Sequence, residues 1–175
     1  GRMVTALPKV LVSVAGIEKV VPALEDVGVF LKLLARAATG QPITSYTTFL
    51  SGPRGIMEED GPQEFHLVLL DNGRTRLLAD PELREALHCI RCGACASACP
   101  VYRKVGGHSY GWVYSGPIGA VLTPVLTGMK AGKNLPYASS LCGACRDVCP
   151  VKIDIPHLLV QLRRKIVQGD PRSER

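Results

Sequence analysis

Four cysteines, Cys89, Cys92, Cys95 and Cys99, fall within eleven residues and are followed by Pro100. The spacing is C-x2-C-x2-C-x3-C-P, in which three close thiolates reach three irons of one cubane while the fourth, beyond a turn, points toward a different cluster. Cys142, Cys145 and Cys149, followed by Pro150, repeat most of that run, and the shared Cys-Gly-Ala-Cys and Cys-Pro-Val stretches mark an internal repeat. Because the last thiolate of each run crosses to the other site, Cys89, Cys92, Cys95 and Cys149 are expected to hold a first, 4Fe-4S cluster. Cys99, Cys142 and Cys145 are left for a second. Where a cysteine would complete the second run stands Ser139. The second site therefore offers three thiolates, suited to a 3Fe-4S cluster or to a 4Fe-4S cluster with one non-cysteine ligand, such as Ser139 or water; the sequence leaves that choice open.

Other uses of cysteine fit the spacing less well. Zinc ribbons use pairs of C-x2-C but need neither a third cysteine three residues on nor a C-x3-C-P ending. A disulfide framework would leave one of the 7 cysteines unpaired, and four packed so tightly suit disulfide geometry poorly. Cluster assembly needs reduced thiols, so a reducing cytoplasm is the expected compartment. His66, His88, His108 and His157 are read as structural or surface residues rather than ligands.

The cysteine loops need a frame. Asp80-Pro81 reads as a helix start leading through Leu83 and Leu87 into Cys89. A second stripe, Ile118, Val121, Leu122, Val125, Leu126 and Met129, has helical spacing, with Pro117 at its start and a kink expected at Pro124. Asp154 is placed to cap a last helix with Ile155, Leu158, Leu159, Leu162 and Ile166 on its buried face. Residues 80–175 thus form a helical frame around the cysteine loops.

Residues 1–79 have a different grammar. Lys9 to Val14 reads as a buried strand, and Leu24, Val27, Leu31, Leu34 and Ala38 predict a helix from about Pro22 that stops at Gly40. Ile43 to Leu50 is rich in strand-preferring residues, and Asn72-Gly73 between Glu64 to Asp71 and Arg74 to Leu78 reads as a hairpin. This order predicts an α/β unit, the C-terminal portion of a larger sheet. The overall class is α+β, an α/β portion followed by a helical two-cluster module.

With 175 residues, 46% of them hydrophobic, and a net charge of +6, the composition is that of a globular protein rather than a disordered chain. Basic residues are dispersed except for Arg163-Arg164-Lys165 and the tail Arg172 to Arg175, and no nucleic-acid-binding motif accompanies them. The uncharged run Val105 to Met129 is broken by glycines and prolines, so it is expected to be buried in protein rather than to span a membrane. No secretion signal opens the chain, and Gly1-Arg2-Met3-Val4 reads as the start of a fragment. The Gly52-Pro53-Arg54 stretch is read as a turn.

Roughly forty residues separate the two cysteine runs, and the insert carries a helical stripe; this resembles the α-helical ferredoxin modules in iron-sulfur subunits of succinate dehydrogenase-type complexes. The stretches Gly107-His108-Ser109-Tyr110-Gly111-Trp112-Val113-Tyr114, Gly116-Pro117-Ile118-Gly119-Ala120 and Leu135-Pro136-Tyr137-Ala138-Ser139-Ser140-Leu141-Cys142 are similar to the iron-sulfur (B) proteins of bacterial L-lactate utilisation complexes. Leu7-Pro8-Lys9-Val10, Gly16-Ile17-Glu18-Lys19-Val20-Val21-Pro22, Ser51-Gly52-Pro53-Arg54 and Asp71-Asn72-Gly73-Arg74 resemble the later part of that family's LUD domain. The resemblance implies an electron-carrying subunit in the oxidation of L-lactate to pyruvate, working with other subunits of the same complex. It also implies that Ser139 belongs to the family pattern.

No dinucleotide fingerprint, P-loop or nucleophile elbow is present to supply complementary chemistry. Hydride removal from a hydroxy acid needs a two-electron acceptor, so the chain is expected to relay electrons and not to be catalytic alone. The alternative is an enzyme that binds a hydroxy acid at the open iron of a three-cysteine cluster.

Overall fold

The computed structural model describes residues 2–44 and 46–169, the side chains of Arg2 and Ala38 excepted. Ser45, the Ala38 side chain and the basic tail Arg172 to Arg175, all part of the expectations above, lie outside the described residues.

The first half holds a short helix α1 (Arg2–Ala6), strand β1 (Val10–Gly16), helix α2 (Leu24–Thr39) and strand β2 (Glu64–Leu70). The strands pair in parallel, Val10 opposite Glu64 through Gly16 opposite Leu70, as strands joined by a helical crossover do. Asp26 accepts a hydrogen bond from the Ala23 N–H and so caps the start of α2, which ends at Gly40 as expected. Both faces of the strand pair carry open apolar side chains, with Val14 65% exposed on one and Leu67 58% on the other. Parallel strands normally have both faces covered, so this pair is not a self-sufficient core.

Three expectations fail here. β1 forms where expected but is not buried, with Val10, Val12 and Val14 50%, 55% and 65% exposed, because neither face of the pair is covered. Residues 46–50 form no strand, and Tyr46 and Phe49 are exposed; strand preference for such residues expresses packing against neighbours, and none is supplied. The predicted hairpin is a helix start. Asn72 and Gly73 do take the positive φ of a tight turn (40° and 83°), but the Asp71 carboxylate accepts from the Thr75 N–H at 2.7 Å and the Thr75 hydroxyl at 3.0 Å. That cap turns residues Arg74–Leu78 into helix α3 instead of a returning strand.

The second half is helical. The expected α-helix after Asp80-Pro81 is a series of turns ending in the 3-10 segment Arg84–His88, although Asp80 does accept from the Glu82 N–H. Helices α4 (Ala94–Ala98) and α5 (Pro100–Val105) follow the first cysteine loop, and α6 (Gly116–Thr127), α7 (Met129–Gly132), α8 (Ala144–Asp147) and α9 (Ile155–Gln168) complete the described part. The apolar stripe breaks at Gly128, so Met129 opens α7 rather than closing α6. Asp154 caps α9 by accepting from the His157 N–H.

The core lies where α6 and α9 meet. Val121, Leu158, Leu159 and Leu162 are completely buried, with Leu77, Leu83, Ile153 and Ile155 around them. Thus the α6 part of the uncharged run is interior while Val105, His108, Ser109 and Val113 before it are exposed, and no described helix is long and apolar enough to cross a membrane. Ion pairs from α9, Lys165 to Asp80 and Arg164 to Glu82, hold the segment that delivers Cys89, and Glu85 accepts from the Asp154 N–H. Asp80 and Lys165 are both nearly buried, and Glu82 stands 3.3 Å from the same ammonium.

Leu158→Ala should cost about 3 kcal/mol by opening a cavity at this crossing, against less than about 1 kcal/mol for the half-exposed Val160→Ala. Equilibrium denaturation followed by circular dichroism reads both; equal effects would show that the α6 and α9 contact is not the core.

Candidate functional site

The two cysteine loops repeat one backbone shape. The residue before the first cysteine of the shared Cys-Gly-Ala-Cys stretch takes a left-handed conformation in each, Arg91 at φ 62° and Leu141 at φ 55°. The glycine after it, Gly93 or Gly143, is left-handed too (79° and 86°) and starts a one-turn helix, α4 or α8. A side chain at either glycine position would be strained, which accounts for the shared Cys-Gly-Ala-Cys. In the first run, Cys99 then caps α5 through its sulfur, which accepts from the Tyr102 N–H at 3.4 Å.

These loops place four thiols on one cavity of about 390 Å³: Cys89, Cys92 and Cys95 from the first loop and Cys149 from the second. The rest of its wall is mostly apolar and includes Ile118, Val151, Ile153 and the ring of Tyr114. Helix α6 is seated against the backbone of Tyr114. A Cβ on Gly119 would lie 2.2 Å from the Tyr114 carbonyl oxygen, so only glycine lets the helix come this close.

Cys99, Cys142 and Cys145 do not line that cavity. Charge on Cys99 or Cys142 would act on Cys145, and charge on Cys145 on Cys95. Cys145 is buried and Cys142 exposed, so this set reaches the surface. The Ser139 hydroxyl accepts from the Leu141 N–H at 3.1 Å, within the turn that precedes Cys142.

Burial sets the protonation of these thiols. It pushes Cys95 up to about 11, with Cys89, Cys92 and Cys145 adding to the rise and the Ile118 N–H opposing it. Cys145 is likewise pushed up to about 11, chiefly by burial, and Cys89 is raised for the same reason. Cys142 moves the other way, lowered by the Ala144 N–H and then by Ser140. A buried thiol of this kind becomes a thiolate only beside a strong positive partner, and a bound metal group is one. The donor set and the cavity therefore fit an iron-sulfur group. Among the described residues no three histidine, cysteine, aspartate or glutamate side chains converge on a point the size of a single ion.

Several residues around this site have no role in the sequence reading: Glu18, Lys19, Arg74, Arg91 and Tyr114. Lys19 donates to the Cys89 carbonyl at 2.7 Å, and burial foremost, then Arg91, lowers its ammonium below the usual lysine range. Arg91 alone carried a hint, lying inside the first cysteine run; the partners it meets come from distant parts of the chain. Among the histidines, His66 meets Glu64 and His157 meets Gln161.

Residues 1–70 match the LUD domain family and residues 85–153 the 4Fe-4S dicluster domain family. Over 95% of its length the chain is 56% identical to a lactate utilization protein B from Shouchella clausii, covering 35% of that protein. It is 54% identical over 99% of its length to the Bacillus velezensis protein of the same name, covering 36%. The Exiguobacterium protein gives 53% over 99%, covering 37%. The chain thus spans about a third of the length of these curated relatives. No solved structure matches it. Over most of its length the chain is therefore similar to lactate utilization B proteins, with one stretch that matches the LUD domain family and another that matches the 4Fe-4S dicluster domain family.

Proposed function

We propose that the chain is an electron-relaying part of an iron-sulfur protein that serves the oxidation of L-lactate to pyruvate. The observation that carries this reading is the cavity shared by Cys89, Cys92, Cys95 and Cys149, drawn from two loops far apart in sequence. This is the set that the crossing of each final cysteine requires. Four thiols around a cavity of this size suit a multi-iron group better than one zinc ion, whose ligands must close on a single point.

On this reading Cys89, Cys92, Cys95 and Cys149 hold a 4Fe-4S cluster. Cys99, Cys142 and Cys145 hold a second group, either 3Fe-4S or 4Fe-4S with a non-cysteine ligand. When bound, such clusters supply one-electron acceptance and donation. The protein's part is to hold the thiolates, to keep water from the first site with Ile118, Val151 and Ile153, and to bring the second site to the surface at Cys142. Residues 1–79 are the LUD-type portion and 80–175 the two-cluster module; the partners are the other subunits of a lactate-oxidising complex, in the cytoplasm. Lactate utilisation itself comes from the names of the relatives.

The chain loaded anaerobically with iron and sulfide should carry about seven or eight irons with nearly matching sulfide. It should accept electrons from dithionite and return them to an artificial acceptor, while forming no pyruvate from L-lactate by itself. Sustained pyruvate formation would favour the open-site enzyme instead, and zinc without sulfide would remove both readings. Ser139→Cys should raise the share of full cubane at the second site, read as loss of any 3Fe-4S EPR signal and a gain of about one iron per chain. A wild-type chain that already holds two full cubanes, unchanged by the substitution, would mean that another group completes the second site.

A further inference from the structure

One charged cluster, built on a buried ion pair, is used by neither cysteine set. Glu18 follows β1, and its carboxylate, 6% exposed, forms an ion pair with the equally buried Arg74. Arg91, between Cys89 and Cys92, approaches the same carboxylate at 3.4 Å. Its guanidinium also lies over the ring of Tyr114, 3.8 Å from the centroid. Arg74 donates to the Tyr114 hydroxyl at 3.2 Å, and Lys19 donates to the carbonyl of Cys89. Three cations and one carboxylate thus meet at the loop that carries two of the four thiols.

The arrangement is built in from the strand onward. A Cβ on Gly16 would lie 2.2 Å from the Glu18 carboxylate oxygen, so the carboxylate fills the space beside this glycine and a larger residue there would displace it. Arg91 holds its left-handed backbone, unfavourable for a side-chain-bearing residue, while its guanidinium is fixed by Glu18 and by the Tyr114 face.

We propose that Glu18, Lys19 and Arg91 are positioning residues that fix the Cys89 to Cys92 loop and tune the reduction potential of the group on Cys89, Cys92, Cys95 and Cys149. This rests on the four-thiolate reading above. Taking up one electron makes a thiolate-bound cluster more negative. Fixed cations beside it favour the reduced state and a fixed carboxylate opposes it; Glu18 is screened least, at 6% exposed, and Arg91 and Lys19, at 29% and 37%, are screened more.

The test is a potentiometric EPR titration of the anaerobically loaded chain, with dithionite supplying the electron and the second centre in the same sample as the reference. Lys19→Met and Arg91→Met should each lower the potential of the first centre, Glu18→Gln should raise it, and Arg91→Lys should restore it toward wild type. Shifts of opposite sign are the signature, because mere loosening of the loop would move every variant alike. Unmoved potentials, or the same sign throughout, overturn the proposal while leaving the cluster reading intact. A wild-type chain with no cluster on these cysteines overturns both. Should Glu18→Gln fail to fold because Arg74 is left buried without its partner, Lys19→Met against Arg91→Lys decides: a drop in the first with the second near wild type supports the proposal, and equal shifts reject it.

Discussion

A thiol buried in apolar surroundings resists ionisation, yet the thiolate is the form that binds iron. That opposition governs the helical half of this protein. Cys95 and Cys145, both pushed up to about 11, are poor donors until a positive group arrives. The cavity of Cys89, Cys92, Cys95 and Cys149 is consequently a place whose electrostatics are completed by its occupant. The surrounding structure keeps that cavity formed: α6 lies against the Tyr114 backbone at Gly119, and α9 ties down the segment leading to Cys89 through Lys165, Arg164 and the Glu85 contact. Joining thiols on either side of the α6 insert makes the proposed cluster a crosslink as well as a redox centre, so ligand binding and folding of this half are linked.

The two sets of thiols differ in their surroundings. The first is walled by apolar side chains and faced by Arg91, whereas the second includes the exposed Cys142, whose pKa is lowered by backbone and Ser140 hydrogen bonds. On the proposed reading, electrons are stored at the first, more apolar site and exchanged where Cys142 meets solvent or a partner. The charge of Cys145 acts on Cys95, so the two sets adjoin, as a relay between them requires. The cluster of Glu18, Arg74, Lys19 and Arg91 joins the LUD-type half to the first site and provides a physical reason for the two to share one chain.

What was legible in the sequence was whatever is encoded locally. β1, α2, α6 and α9 follow from apolar periodicity and local punctuation: Asp154 does cap α9, and Gly40 does end α2. The cysteine loops were readable because the spacing of a cluster's ligands is itself a local constraint. Failures came where a distant or competing partner decides. Asn72-Gly73 has the left-handed conformations of a hairpin turn, but Asp71 caps a helix there and Arg74 is drawn to Glu18. Residues 46–50 have strand composition, but among the described residues no strand pairs with them. The contacts of Glu18 and Tyr114 with Arg91 and with Arg74 were invisible for the same reason, because no periodicity or spacing links those positions.

The central claim is that the ligands cross between the runs, and paired cysteine variants examined by anaerobic EPR test it most directly. With Cys149→Ala, Cys89→Ala, Cys99→Ala and Cys142→Ala in hand, the crossed arrangement predicts that Cys149→Ala disturbs the same centre as Cys89→Ala, and Cys99→Ala the same centre as Cys142→Ala. If Cys149→Ala instead disturbs the centre that Cys142→Ala does, each run serves its own cluster, and the cavity of Cys89, Cys92, Cys95 and Cys149 is not a ligand set.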